Sequence, residues 1–253
     1  MARGPVAVRI LGSGDAFGSG GRLNTCILVE GREDRILIDC GGSAMISLRR
    51  FGVDPNGIGA IVLSHLHADH FGGLPTFILD AQLVSKRAAP LVIAGPEGLA
   101  ARLEALMEAH FPGSSKVERR FETRLVELRP GAAAELGVAG AAARVWPAVH
   151  PSGTPSQSVR LSFEGREIAY TGDTEWTDAL LEHGRDADLL IAEAYTFERK
   201  TRFHLDWRTL AANLPKIRAR RVALTHMSPD MLARAGEVEG ATPAEDGSAF
   251  VLD

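Results

Sequence analysis

Cysteine is almost absent from this chain: Cys26 and Cys40 are the only two in 253 residues. Two thiols make no disulfide framework at this length, so buried, reduced cysteines and a reducing compartment are expected. Long apolar runs are missing as well. Behind Met1-Ala2-Arg3-Gly4-Pro5, the residues Gly12, Gly14, Asp15 and Gly18 interrupt the first hydrophobic stretch. Neither a secretory leader nor a membrane span is visible, and a cytoplasmic location is expected. Positive charge is not in surplus. Lys and Arg total 28 against 32 Asp and Glu, a net charge of -4, which gives no global basic footprint for nucleic acid. Local basic runs remain at 116–124, 199–202 and 216–221. Linker-like and low-complexity segments are lacking too. With 45% hydrophobic residues the chain can bury a substantial core, so one domain over residues 1–253 is expected.

Histidine is scarce, eight in all, yet three fall within Ser64-His65-Leu66-His67-Ala68-Asp69-His70, directly after the apolar run Ile61-Val62-Leu63. On an extended segment residues two apart project to the same side. His65 and His67 can therefore converge on one ion while the turn beyond directs Asp69 and His70 elsewhere, a pattern that suits two adjacent metals. Without an ion, four donors packed this tightly would need a partner for every buried nitrogen and oxygen; a divalent cation removes that cost. Three further residues stand where a strand-like run gives way to a loop. His150 ends Val145-Trp146-Pro147-Ala148-Val149 and precedes Pro151, His226 follows Arg221-Val222-Ala223-Leu224-Thr225, and Asp173 follows Ile168-Ala169-Tyr170 across Thr171-Gly172. Taken singly, Asp173 reads equally as a turn or capping residue, and His150 or His226 as a core histidine. In layered α/β proteins, functional groups collect at one end of the sheet, so a single rim can gather all of them.

On these residues the chain resembles a metallo-β-lactamase superfamily hydrolase. The resemblance rests on the His-x-His-x-Asp-His signature at 65–70 and the downstream His150, Asp173 and His226, and extends over Leu11-Gly12-Ser13-Gly14 and Ile38-Asp39-Cys40-Gly41. It implies an α/β fold, the αββα four-layer sandwich, with a dinuclear metal centre on one edge. By the same resemblance His65, His67 and His150 bind the first metal, Asp69, His70 and His226 the second, and Asp173 bridges both. Redox di-iron members carry Glu as the second element of the signature, where this chain has His67, and neither cysteine occupies a ligand position. Nitrogen-rich donors with carboxylates suit Zn²⁺, and the same ligands also accommodate Mn²⁺ or Fe²⁺. Two Zn²⁺ per chain are expected.

A second constellation, Ala192-Glu193-Ala194-Tyr195 followed by Phe203-His204-Leu205-Asp206, resembles the phosphodiesterase branch of that superfamily. There, matching Glu and His positions are paired near the metals and assist proton transfer to the leaving group. The resemblance thus implies catalytic roles for Glu193 and His204 beside Asp69, with Glu193 raising the pKa of His204. The plainer reading makes Glu193 a loop acid and Asp206 an N-cap for the following helix. Two cations that activate a shared water and neutralise phosphoryl charge, with a histidine to protonate the departing alkoxide, form a coherent phosphodiesterase.

Three functions stay open. The first is hydrolysis of a small cyclic or linear phosphodiester. The second is tRNA 3′-end processing in the manner of ribonuclease Z, with RNA as the partner; Ala94-Gly95-Pro96-Glu97-Gly98 is similar to a segment of those enzymes. Against it, Ala68 and Leu205 depart from their pattern and no long basic Gly/Pro-rich arm is inserted. The third is hydrolysis of a lactone or thioester on the same centre. The phosphodiesterases it resembles commonly form homodimers, so a homodimer is expected. Phe17, Phe71, Trp176, Tyr195 and Trp207 lie near motif residues, where aromatic side chains more often pack than recognise.

Periodicity and turn signals place early strands at Val6–Leu11, Thr25–Glu30 and Arg35–Asp39, a short helix at Ala44–Arg50, and a buried strand at Ile58–Leu63. Beyond the metal loop they give a helix at Leu74–Val84, a strand at Leu91–Ala94, a helix at Glu97–His110 and further strands through Phe163. A helix near Thr177–His183, a strand at Leu189–Ala192, a helix from Asp206 to Arg218 and a strand at Val222–Thr225 follow. The alternation repeats, giving two βα-rich halves with facing sheets.

Overall fold

The structure, a computed structural model, describes residues 5–138 and 140–253. In chain order the elements are β1 (Val6–Gly12), β2 (Cys26–Glu30), β3 (Arg35–Ile38), α1 (Ala44–Arg50), β4 (Ile58–Val62), α2 (Ala68–Phe71), α3 (Leu74–Leu83), β5 (Leu91–Gly95), α4 (Leu99–His110) and β6 (Thr123–Glu127). The second half holds β7 (Ala133–Glu135), β8 (Ala141–Pro147), β9 (Gln157–Phe163), β10 (Arg166–Tyr170), α5 (Ala179–His183), β11 (Leu189–Glu193), α6 (Trp207–Ile217), β12 (Val222–Thr225), α7 (Pro229–Ala233), β13 (Thr242–Pro243) and β14 (Ser248–Leu252). Two seven-stranded sheets result, one ordered β14-β1-β2-β3-β4-β5-β6 and the other β13-β12-β11-β10-β9-β8-β7. In each, the half that carries the crossover helices is parallel and the other half is an antiparallel meander.

The two-residue period of the strands explains the layers. Val6, Val8 and Ile10 of β1, Ile27 and Val29 of β2, and Ala60 and Val62 of β4 face the second sheet, where they meet Val145, Val159, Leu161, Ile168, Leu189 and Ile191. The alternate residues Leu28, Leu37 and Ile61 point outward under Leu48 of α1, Phe77 of α3 and Leu103 of α4. On the other side Leu190, Ala192 and Leu224 lie under Trp207 and Leu210 of α6 and Met231 of α7. Strands β4 and β11 are covered on both faces, which is why they read as continuous apolar runs. This is the αββα sandwich. Burial of each such aliphatic side chain contributes about 1.5–3 kcal/mol. Cys26 and Cys40 are buried in the outer layer beside Leu28 and Leu37; burial, then the charge of Asp39, pushes the Cys26 thiol up to about 12.

Three details differ from the expectation. Helix α4 begins at Leu99 rather than Glu97, because Gly98 sits at φ 89°, a left-handed conformation that closes the turn before the helix. The chain beyond β12 is not idle: β14 pairs antiparallel with β1, so the C-terminal strand belongs to the first sheet. The metal loop contains a four-residue helix, α2. Among the described residues no helix is long and apolar enough to cross a membrane.

Candidate metal and catalytic site

The rim formed by the loops after β4, β8, β10, β11 and β12 gathers the residues singled out above. His65 and His67 lie on the extended segment leaving β4, and α2 then turns Asp69 and His70 away from them. Nitrogens of His65, His67 and His150 lie within 4.8 Å of one another, and so do donor atoms of Asp69, His70, Asp173 and His226. Asp173 stands between the two groups. Its Oδ2 is 3.9 Å from His65 Nε2, 3.8 Å from His150 Nε2 and 3.3 Å from His226 Nε2, while Oδ1 is 3.4 Å from His70 Nε2. Gly172 precedes it at φ 59°, and a Cβ there would meet the Ser64 side chain at 3.0 Å, so glycine allows the loop to close on the metal segment.

Outer hydrogen bonds fix which imidazole nitrogen faces inward. His70 Nδ1 is 2.7 Å from Asp39 Oδ2, His65 Nδ1 is 3.1 Å from Ser64 Oγ, and His150 Nδ1 donates to the Phe203 carbonyl at 3.0 Å. Each leaves Nε2 for the centre. Asp39 also accepts from the Ser64 N–H and hydroxyl, both at 2.7 Å, and sits at φ 60°, in the left-handed region that Asp tolerates better than most residues. Asp39, Ser64 and Phe203 stand in the segments quoted above, but the sequence assigns them no role in the site. For Asp39 a signal was present, since Ile38-Asp39-Cys40-Gly41 is another strand-end acid followed by glycine.

The donor set fits a divalent cation. His65 Nε2 is buried without a hydrogen-bond partner, and a cation among these donors would satisfy it. Burial holds His65, His67 and His150 below the ordinary histidine value, as neutral imidazoles suited to ligation. Burial should also lower His70 and His226, but Asp173 and Asp69 reverse this and raise both, His226 to about 9. Burial should raise Asp69; the positive charge of His70 and hydrogen bonds from His226 and His70 hold it well below the carboxylate range instead. Two buried carboxylates thus demand positive charge here, and a bound cation would supply it in place of protons.

Beside this centre, His204 Nδ1 lies 2.9 Å from Glu193 Oε2, and the other carboxylate oxygen of Glu193 accepts the Thr174 N–H. Glu193, the last residue of β11, is fully buried, and burial and then Asp173 raise its pKa. Burial alone would lower His204, but the hydrogen bond and charge of Glu193 raise it. His204 shares one group with His150 and Asp173 and Glu193 another with His204 and His226, each with donor atoms within 4.8 Å. The Tyr195 ring stacks on His204 at 4.6 Å between centroids. Of the other aromatic residues, Phe71 and Trp207 are core, Trp176 is half-buried and Phe17 is 82% exposed. Asp206 is the N-cap of α6, accepting the Thr209 N–H at 2.9 Å and pairing with Lys200 at 2.7 Å.

Known proteins agree with this geometry. A family model described as anti-Pycsar protein Apyc1 matches residues 6–250. Ribonuclease Z of Haloferax volcanii is 30% identical over 96% of this chain and 91% of its own length. Human tRNase Z, short form, superposes with a TM-score of 0.79 at 27% identity, covering 98% of this chain and 99% of its own. The metallo-β-lactamase fold protein YhfI from Bacillus subtilis superposes with the same score at 19% identity, over 98% and 99% of the two chains. With a metal-type donor cluster on the rim of an αββα sandwich, the chain is a metal-dependent hydrolase of the metallo-β-lactamase superfamily, in its ribonuclease Z-like branch, and belongs to the anti-Pycsar protein Apyc1 family.

Proposed function

We propose that this protein is a dinuclear zinc phosphodiesterase acting on a small cyclic or linear phosphodiester. The observation that carries this reading is the Glu193–His204 pair, 2.9 Å apart and adjoining the Asp173-centred cluster. A thiolate leaves a thioester without a separate proton donor, whereas the poor alkoxide leaving group of a phosphodiester needs one.

In this reading His65, His67 and His150 would hold one cation and Asp69, His70 and His226 the other, with Asp173 available to both. Bound cations would supply an activated water and neutralise charge building on the phosphoryl oxygens. The protein's own groups do the rest. Asp39, Ser64 and the Phe203 carbonyl keep three imidazoles correctly turned. Glu193 occupies His204 Nδ1 and raises its proton affinity, which leaves Nε2 as the donor. As the phosphorus–oxygen bond to the leaving group breaks, that oxygen takes the His204 proton and water supplies the new phosphorus–oxygen bond; a linear diester gives a phosphomonoester and an alcohol, and a cyclic one a single ring-opened phosphomonoester that carries the freed hydroxyl.

RNA is the second reading, supported by 30% identity to the Haloferax volcanii ribonuclease Z along almost the whole of both chains. Steady-state assays of the zinc-loaded protein on cyclic phosphodiesters, unprocessed tRNA and a lactone separate the possibilities. Turnover of small phosphodiesters with tRNA left intact is expected; cleavage of tRNA alone would select the nuclease reading, and of the lactone alone would overturn both.

We also propose a homodimer, one domain per chain, working in the cytoplasm. A groove of about 990 Å³ between α1 and α3 exposes Ile46, Leu83, Val84 and Phe111, and the Arg49–Asp80 ion pair at 2.6 Å lies among its lining residues. Apolar exposure gathered on one face is what a self-associating surface presents.

A further inference from the structure

The residue after the Asp173-Thr174 pair has no role in the chemistry above, yet three loops of the site depend on its neighbourhood. Thr174 holds Glu193 through its N–H and receives the Val149 N–H on its hydroxyl at 2.9 Å. Glu175 donates its own N–H to the Val149 carbonyl at 3.2 Å, and its carboxylate Oε1 accepts the Phe203 N–H at 2.6 Å. Phe203 is at φ 69°, in the left-handed region that bulky residues rarely adopt. Such a conformation persists only where its surroundings over-determine it. Here they do so on both peptide groups that flank the residue: Glu175 takes its N–H, and His150 Nδ1 is bound to its carbonyl at 3.0 Å. The next residue is His204.

We infer that Glu175 is a positioning residue that sets the metal-type ligand His150 and the proton donor His204 relative to each other through the left-handed Phe203. No other hydrogen-bond partner of its carboxylate is found among the described residues, and it touches none of the inward-facing nitrogens. It acts by reach. Its side chain is long enough to span from the loop after β10 to the loop before α6, and any acceptor at that length serves the Phe203 N–H equally. One carboxylate therefore couples the orientation of a ligand in the first group to the placement of the general acid. The inference rests on the phosphodiesterase reading for its kinetic consequence, but not for its effect on His150.

The test compares Glu175→Ala, Glu175→Asp and Glu175→Gln in the zinc-reconstituted full chain, with two readouts. The first is kcat and KM for bis(p-nitrophenyl) phosphate and for diphenyl phosphate, whose phenoxide is the poorer leaving group. Loss of a positioned acid should lower kcat for diphenyl phosphate by about tenfold more than for the nitrophenyl ester, with KM unchanged. The second is zinc retention against a chelator, expected to fall about tenfold as the His150 orientation loosens. Ala and Asp should show both losses, and Gln should recover most of each, because it keeps length and an acceptor while giving up charge. Recovery by Asp and not Gln would overturn the inference, since charge rather than reach would then be at work. Wild-type behaviour of Ala and Asp in both readouts would overturn it as well. If the parent protein turns over no phosphodiester, the function proposed above has failed, and zinc retention in the same three variants still decides the role of Glu175.

Discussion

His70 Nδ1 lies 2.7 Å from Asp39 Oδ2, and both residues are completely buried. The carboxylate fixes the tautomer that presents Nε2 to the centre and, through its other oxygen, secures the Ser64 N–H at the start of the metal segment. Asp39→Ala should weaken zinc binding by about 10–100-fold while leaving every ligand in place. Chelator competition on the folded variant measures this; wild-type affinity would remove Asp39 from the account.

Gly41 tests the backbone that supports α2. A Cβ at this position would lie 2.1 Å from the Asp69 carbonyl oxygen and 2.6 Å from Asn24 Cβ, and neither neighbour is a flexible side-chain end. Gly41→Ala should displace the Asp69-His70 segment and lower both thermal stability and bound zinc. The loss of stability should be on the order of 1–3 kcal/mol, as for overpacking elsewhere. Thermal denaturation with metal analysis on the same sample reads both quantities, and an unchanged pair would contradict the rigid contact described.

If His204 is the proton donor proposed above, His204→Ala should retain zinc and lose about 10² to 10⁴ in kcat on substrates with alkoxide leaving groups. Bis(p-nitrophenyl) phosphate, whose leaving group needs less protonation, should suffer less. Equal losses on both substrates would mean that His204 serves the centre in some way other than proton donation.

His183 gives a pH dependence remote from the candidate metal site. Burial lowers its pKa from the ordinary 6.5 to about 4, with Nε2 bound 3.0 Å from the Val159 carbonyl. Between those values the unfolded chain binds more protons than the folded one, so the contribution is complete above pH 6.5 and is lost as pH falls toward 4. The full effect is about 3 kcal/mol. Denaturant titrations at several pH values should show wild type losing its advantage over His183→Gln across this window. Parallel stability curves for the two proteins would contradict the assignment.

Much of the site was legible because its residues are strand-end groups, and strand ends are marked in sequence by an apolar run followed by a glycine or a turn. His65, His150, Asp173 and His226 all carry that mark. Glu193, although it ends a strand, and its partner His204 are both singled out only through family resemblance, since nothing in a run of Arg, Lys and Phe says which histidine folds back. Asp39 carried the same mark and was passed over because its partner is 31 residues away and becomes visible only when the sheet is assembled. Glu175 had no mark at all. Its meaning lies in a backbone N–H 28 residues distant and in the φ of Phe203, neither of which a side-chain pattern encodes. Likewise β14 was missed because its alternation is short and its partner, β1, lies at the far end of the chain.

The most direct measurement is turnover of bis(p-nitrophenyl) phosphate by the zinc-reconstituted protein, with Asp69→Ala as control and zinc counted on the same samples. About two zinc ions per chain with activity, and loss of both activity and part of the metal in the variant, are the predicted results. Full zinc loading with no hydrolysis of any phosphodiester would contradict the account and move the centre to carbonyl substrates.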